Sequence, residues 1–139
     1  MKNEELPRGL RNCNPGNIRI TKDQWKGLRK DQTDKVYFQF VNMPYGYRAL
    51  LKTLKNYRKR HKCETIAEFI RRWAPPVENN TVVYIKFVCE KLGVSPDWIP
   101  DVEDKDSMCM IASAISSFEN GVNPVMDEIH EGWQLLYDE

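Results

Sequence analysis

Apolar residues recur every three or four positions along most of this chain, and the stretches that break this rhythm fall mainly in its first third. Tyr47, Leu50, Leu51, Leu54 and Tyr57 share one face, with Arg48, Lys52, Lys55 and Lys59 opposite, which predicts an amphipathic helix from Tyr47. Thr65, with Glu68 at capping-box spacing, opens a second helix carrying Ile66, Phe69, Ile70 and Trp73, and Pro75-Pro76 stops it. Asn80 or Thr81 caps a third, in which Tyr84, Phe87, Val88 and Leu92 form the stripe before Gly93. Ser95 to Trp98 reads as a turn or short helix and Pro100 to Asp106 as an acidic connector. A fourth helix then runs from Ser107 to Glu119 and a fifth from Met126 to Tyr137.

The first third follows another rule. Trp25-Lys26-Gly27 and Val36-Tyr37-Phe38-Gln39-Phe40 set aromatic and β-branched residues between turn-rich flanks, which predicts a short β-hairpin. Ahead of it, the run from Arg8 to Arg19 holds Asn12, Asn14, Asn17, Gly9, Gly16 and Pro15. Its backbone must turn tightly, with side-chain amides satisfying it. Such a segment either walls a site or is a well-capped structural loop. The expected class is α+β but mainly α: one domain over residues 1–139, with about five helices and a small hairpin near the N-terminus.

Composition adds bounds. A chain of 139 residues is long enough to bury a core without staples, and 4 Trp, 6 Tyr and 5 Phe supply both core and stacking platforms. A net charge of +1 gives no global steering toward polyanions. Met1 to Glu5 lack the apolar run of a secretory signal and no stretch has membrane-spanning length, so action outside the cytoplasm would need release or carriage by something else. Cys13, Cys63, Cys89 and Cys109 lie far apart with only His61 and His130 as imidazole partners, which argues against a zinc site. Cys89 and Cys109 fall in apolar helical patterns and read as buried free thiols.

Glu119 is the residue whose position asks for explanation. Met108, Ile111, Ala112 and Ile115 make the buried face of the fourth helix, and Glu119 continues it before Asn120-Gly121 ends the helix. Partial burial and the negative end of the helix dipole both disfavour its ionised form, as a general acid requires. The alternative is a glutamate turned to solvent at a fraying helix end. Glu78, in a proline-led turn, either orients substrate or acts as a second carboxylate, or else simply stabilises the start of the third helix. Glu131 and Asp34 read as surface charges, and no motif makes a nucleophile partner for either histidine. The basic run Arg58 to Lys62, with Lys55, suits nucleic-acid phosphates, a substrate bearing carboxylates, or merely a solvated helix face.

Asn14-Pro15-Gly16-Asn17-Ile18-Arg19, Trp25-Lys26-Gly27, the aromatic stretch Tyr37 to Phe40 and Tyr45-Gly46-Tyr47-Arg48-Ala49-Leu50 together resemble a phage-associated group of small lysozyme-like proteins. They also resemble the middle of bacterial autolysin glucosaminidases. In autolysins and lytic transglycosylases the catalytic helix precedes the Asn-rich loop, whereas here the similar Phe118-Glu119-Asn120-Gly121-Val122-Asn123-Pro124 comes near the C-terminus. The order suggests a circular permutation, which requires neighbouring chain ends.

The resemblance implies a peptidoglycan glycosidase or lytic transglycosylase, made in the cytoplasm and meeting the cell wall after release or as part of a virion. Glu119 would be the general acid, with Asn14, Asn17, Tyr37, Gln39, Glu78 and Tyr84 binding substrate. No cofactor, metal, nucleic acid or membrane insertion is implied. Two alternatives stand beside it: a non-catalytic virion structural or glycan-binding protein, and a nucleic-acid module built on Lys55, Arg58 and Lys59.

Overall fold

Helix α2 (Met43–His61) is the axis on which the other elements are laid. It starts earlier than the apolar periodicity predicts, because the Asn42 side chain caps it by accepting from the Tyr45 amide and Pro44 is tolerated in the first turn. Lys62, at φ 57°, ends it in the left-handed conformation. The computed structural model describes residues 6–138 and places five further helices around this axis: α1 (Arg8–Arg11), α3 (Ile66–Trp73), α4 (Thr81–Leu92), α5 (Lys105–Asn120) and α6 (Met126–Leu135).

Most boundaries follow from capping. The box at Thr65 and Glu68 forms as expected, with the Glu68 amide donating to Thr65 Oγ1 at 3.2 Å and the Thr65 amide to Glu68 Oε1 at 3.0 Å. Asn80 caps α4, while the Thr81 hydroxyl donates back to the Ala74 carbonyl. Asp104 accepts from the Ser107 amide and so starts α5 before the expected Ser107. Gly121, at φ 70°, closes it. Tyr47, Leu50, Leu51 and Leu54 of α2, Phe69 and Ile70 of α3, Val88 of α4, Ile111 and Ile115 of α5 and Ile129 of α6 bury together as the main core. Inside it the Tyr47 hydroxyl meets Ser116 Oγ at 2.9 Å, joining α2 to α5. Helix α6 runs close along α2 because Gly132 has no side chain, and a Cβ there would stand 2.7 Å from that of Tyr47.

The expected hairpin does not form. Between residues 19 and 40 there are only two isolated bridges, Arg19 to Tyr37 and Leu28 to Phe40. Among the described residues the helices number six rather than about five, since Arg8–Arg11 coils into one turn of helix inside the Asn-rich run. The extended segment 36–41 takes its partners from several places instead of one strand. Ile20 donates to Val36, Phe38 to Ile18, Phe40 to Asn12, and Val41 to Gly27. Side chains fill the gaps: Gln32 Oε1 accepts from the Gln39 amide at 2.8 Å, and Gln32 Nε2 donates to the Gln39 carbonyl at 2.8 Å. The aromatic alternation was a true signal of burial, and Phe38 and Phe40 pack with Ala49 into a second, small core. It did not report a ladder.

The segment Met1 to Glu5, read above for want of a secretory signal, and Glu139 lie outside the described residues, and with them the test of neighbouring chain ends. Among the described residues no helix is long and apolar enough to cross a membrane.

Two stability predictions follow from this irregular region. Asn14 is fully buried and makes three bonds to the backbone of Ile18 and Phe38, so Asn14→Ala should lower unfolding free energy in urea by about 3 kcal/mol. Asp34 receives two bonds of 2.7 Å from Arg8, and further bonds from Asn12 and the amides of Val36 and Tyr37. The Arg8 guanidinium above all holds its carboxyl well below the ordinary carboxylate range. With a folded value below the unfolded one, the contribution is complete above about pH 4 and fades as pH falls toward the folded value. The melting temperature of Asp34→Asn should therefore fall less steeply than wild type between about pH 4 and pH 2.

Candidate active site

The Asn-rich loop is shaped by its own amides and bolted to the end of α5. Asn14 Oδ1 accepts from the Ile18 amide at 2.9 Å, while its Nδ2 donates to the carbonyls of Ile18 and Phe38. Cys13 and Asn17 adopt left-handed backbone, at φ 50° and 51°. Gly16 lies on the Trp73 ring so closely that a Cβ would stand 2.6 Å from it. Asn120, in the last turn of α5, donates to the Pro15 carbonyl at 2.9 Å across the whole length of the chain.

This fastening delivers Asn17 to Glu119. Asn17 Nδ2 donates to Glu119 Oε1 at 2.9 Å, and the Tyr84 hydroxyl of α4 donates to Glu119 Oε2 at 2.8 Å. Both carboxylate oxygens are thus held in place. Tyr84 is almost fully buried and its ring stacks on Phe118 at 3.9 Å. Burial foremost, and then the Glu119 charge, push its phenol far up, so it stays protonated and donates. The Trp73 side chain is a further partner of that hydroxyl.

Glu119 is half-buried at the wall of a cleft of about 330 Å³, a volume within the range of small-ligand sites. Asn17, Tyr37 and Glu78 line the same cleft. Tyr84 is not among the lining residues and meets the cleft through its hydroxyl's partners Glu119 and Trp73. The Tyr37 ring carries the Arg8 and Arg19 guanidinium groups at 4.7 and 5.6 Å from its centroid. Glu78 is exposed and lies 3.7 Å from Arg19. Asn14 and Gln39 are not among the cleft's lining residues. Gln39 is buried, with its Oε1 accepting from the amides of Thr33 and Asp34 and its Nε2 donating to Asn12.

The cleft also contains residues that the pattern assigned to cores or passed over: Trp25, Tyr57, Trp73, Thr53 and Asp23. For Trp73 a signal existed, since a tryptophan in the last turn before Pro75-Pro76 lies where a helix face meets a rigid turn. Nothing local marks Tyr57, which has the same spacing as its buried neighbours. In the basic run, Arg58 donates to the carbonyls of Cys63, Glu64 and Pro100, and Lys55 bonds Glu103 and Tyr137. Two of the three cations named for nucleic acid are thus engaged internally. Among the described residues no group of three or more His, Cys, Asp or Glu side chains gathers as a metal site would need, and the four cysteines are free thiols.

No family model matches the chain. It is similar to protein P5 of Pseudoalteromonas phage PM2, with 37% identity over 134 residues that cover 94% of this chain and 82% of the relative. With that identity over nearly the whole of its length, the chain belongs to the family of that bacteriophage protein.

Proposed function

We propose that this chain cleaves the β-1,4 glycan strand of peptidoglycan, within a lysozyme-like fold, with Glu119 as general acid. The observation that carries this reading is the carboxyl of Glu119 at the cleft wall, oriented by Asn17 at 2.9 Å and Tyr84 at 2.8 Å. Each carboxyl oxygen keeps a second lone pair beyond the one its donor occupies. A proton carried there passes to the glycosidic oxygen as its bond to the anomeric carbon breaks. The carboxylate left behind is the form that both donors stabilise. It then takes a proton back from the attacking hydroxyl, either water or the sugar's own 6-hydroxyl, and the acid is regenerated. Trp25, Tyr57 and Trp73 supply apolar faces suited to sugar rings.

The same two hydrogen bonds favour a second reading. A carboxylate bonded on both oxygens also serves as a brace joining loop, α4 and α5 in a non-catalytic, glycan-binding virion protein.

Glu119→Gln separates the two. On purified peptidoglycan the acid role predicts a loss of released fragments of at least about 100-fold, seen by mass spectrometry, with the fold retained by circular dichroism. Undiminished release by the variant would sink Glu119 as the acid, and no release by wild type would leave the non-catalytic brace. Anhydro ends among the wild-type products would mark transglycosylation, and reducing ends hydrolysis. Tyr84→Phe removes one donor while keeping the stacked ring, so kcat should fall by about 10- to 100-fold with KM nearly unchanged.

A further inference from the structure

The groove does not end at the Glu119 cleft. Past Trp25, Thr53 and Tyr57 it opens into a depression of about 480 Å³, and past Thr21 and Asp23 into another of about 870 Å³. Tyr57 borders all three, and the two extensions meet at His61. Their chemistry differs from that of the cleft. Lys52, Arg60, Arg71 and Arg72 line them, against the carboxylates Asp23 and Glu68.

Those two carboxylates keep their charge but are each also held by a hydrogen bond within the fold. Asp23 Oδ2 accepts from the Thr21 hydroxyl at 2.8 Å, and Glu68 Oε1 serves the capping box at Thr65. Among the described residues Lys52, Arg60 and Arg71 form no direct ion pair, although the Arg71 charge acts on Glu68 through space. The Arg72 guanidinium stands 5.5 Å over the Tyr57 ring and 3.2 Å from His61 Nε2, held at the groove rather than neutralised. Two cations outside the groove are by contrast tied down, Arg8 by Asp34 and Lys55 by Glu103. A row of unpaired guanidinium and ammonium groups along a groove fits separate carboxylates, which guanidinium forks bind in pairs of hydrogen bonds. The interspersed Asp23 and Glu68 disfavour a continuous polyanion, and the chain's net charge of +1 adds no long-range pull toward one.

We infer that this cationic arm of the groove binds the free carboxylates of the peptide stems borne by the muramic acid residues, so that stem-bearing glycan is preferred over bare glycan. The inference rests on reading the Glu119 cleft as a peptidoglycan site. It supplies what that cleft lacks, a means of telling one region of the wall from another. A stem leaves the sugar beside the scissile bond, and the arm opens beside the cleft.

The test has two arms, with wild type, the triple variant Lys52→Ser/Arg60→Ser/Arg71→Ser and the single variant Arg71→Glu, each first checked for its fold by circular dichroism. In the first, a free stem tetrapeptide is titrated into each protein and followed by NMR. Wild type should bind, and both variants should bind at least about tenfold more weakly. In the second, cleavage rates are compared on sacculi with stems intact and on sacculi stripped of stems by an amidase. Wild type should favour the intact glycan by about tenfold or more, and the ratio should fall toward one in the variants. A wild-type ratio near one, or a ratio that the substitutions leave alone, overturns the inference while leaving the glycan-cleaving reading intact. If neither substrate is cut, that reading fails, and absence of tetrapeptide binding then overturns the inference as well. Salt-sensitive capture of a single-stranded oligonucleotide through the same residues, without tetrapeptide binding, would assign the arm to phosphates and sink it.

Discussion

The fastening of the Asn-rich loop to the last turn of α5 is the constraint on which the cleft depends. Two bonds make it, Asn120 to the Pro15 carbonyl and Asn17 to Glu119, and each crosses more than a hundred residues of chain. They hold because three close approaches are allowed beneath them. Gly9 leaves room under the amides of Asn17 and Asn120, Gly16 lies flat on Trp73, and Gly46 lets the start of α2 meet the Cys13 carbonyl. A side chain at any of the three pushes the loop off its seat. The amide oxygens of Asn17 and Asn120 are buried without hydrogen-bond partners beside Gly9, where its Cα hydrogens offer only weak contacts. That local loss is tolerated where it fixes the nitrogen ends of both side chains on their targets.

How far the sequence could be read depended on the range of the interaction. Caps at Thr65, Asn80 and Gly121, and the stripes on α2 to α6, are local, and they were legible to within a few residues. Glu119 stood out because an acid on an apolar face is a conflict within one helix. Asn17 could be linked to it only through resemblance, since no spacing rule connects positions so far apart. Gln39 shows the opposite failure. Its neighbours Phe38 and Phe40 point into the small core as alternation requires, but its amide is spent on Thr33, Asp34 and Asn12 and not on the cleft.

The missing hairpin has the same origin. Alternation reports which side chains are buried, whereas a strand also needs a neighbouring backbone in register. Here Gln32 and Gln39 stand in for that neighbour, and Asn14 does so for the adjoining loop. An amide side chain carries the donor and acceptor of a peptide group on a short arm, so it can replace a ladder rung without committing the chain to a second strand. The outcome is an irregular wall that curves around the cleft.

That irregularity bears on what Glu119 can do. A carboxyl at a helix C-terminus faces the negative end of the helix dipole, and half-burial denies it full solvation. Asn17 and Tyr84 clamp both of its oxygens and fix the direction in which they face. The proposed exchange of a proton with a bound glycan needs that direction held, because a carboxyl free to turn would lose the reacting oxygen. The two donors come from different places, one from the loop and one from α4, so the clamp is complete only while the loop stays seated. Loop geometry, and not the carboxyl itself, is therefore the variable through which this cleft is tuned.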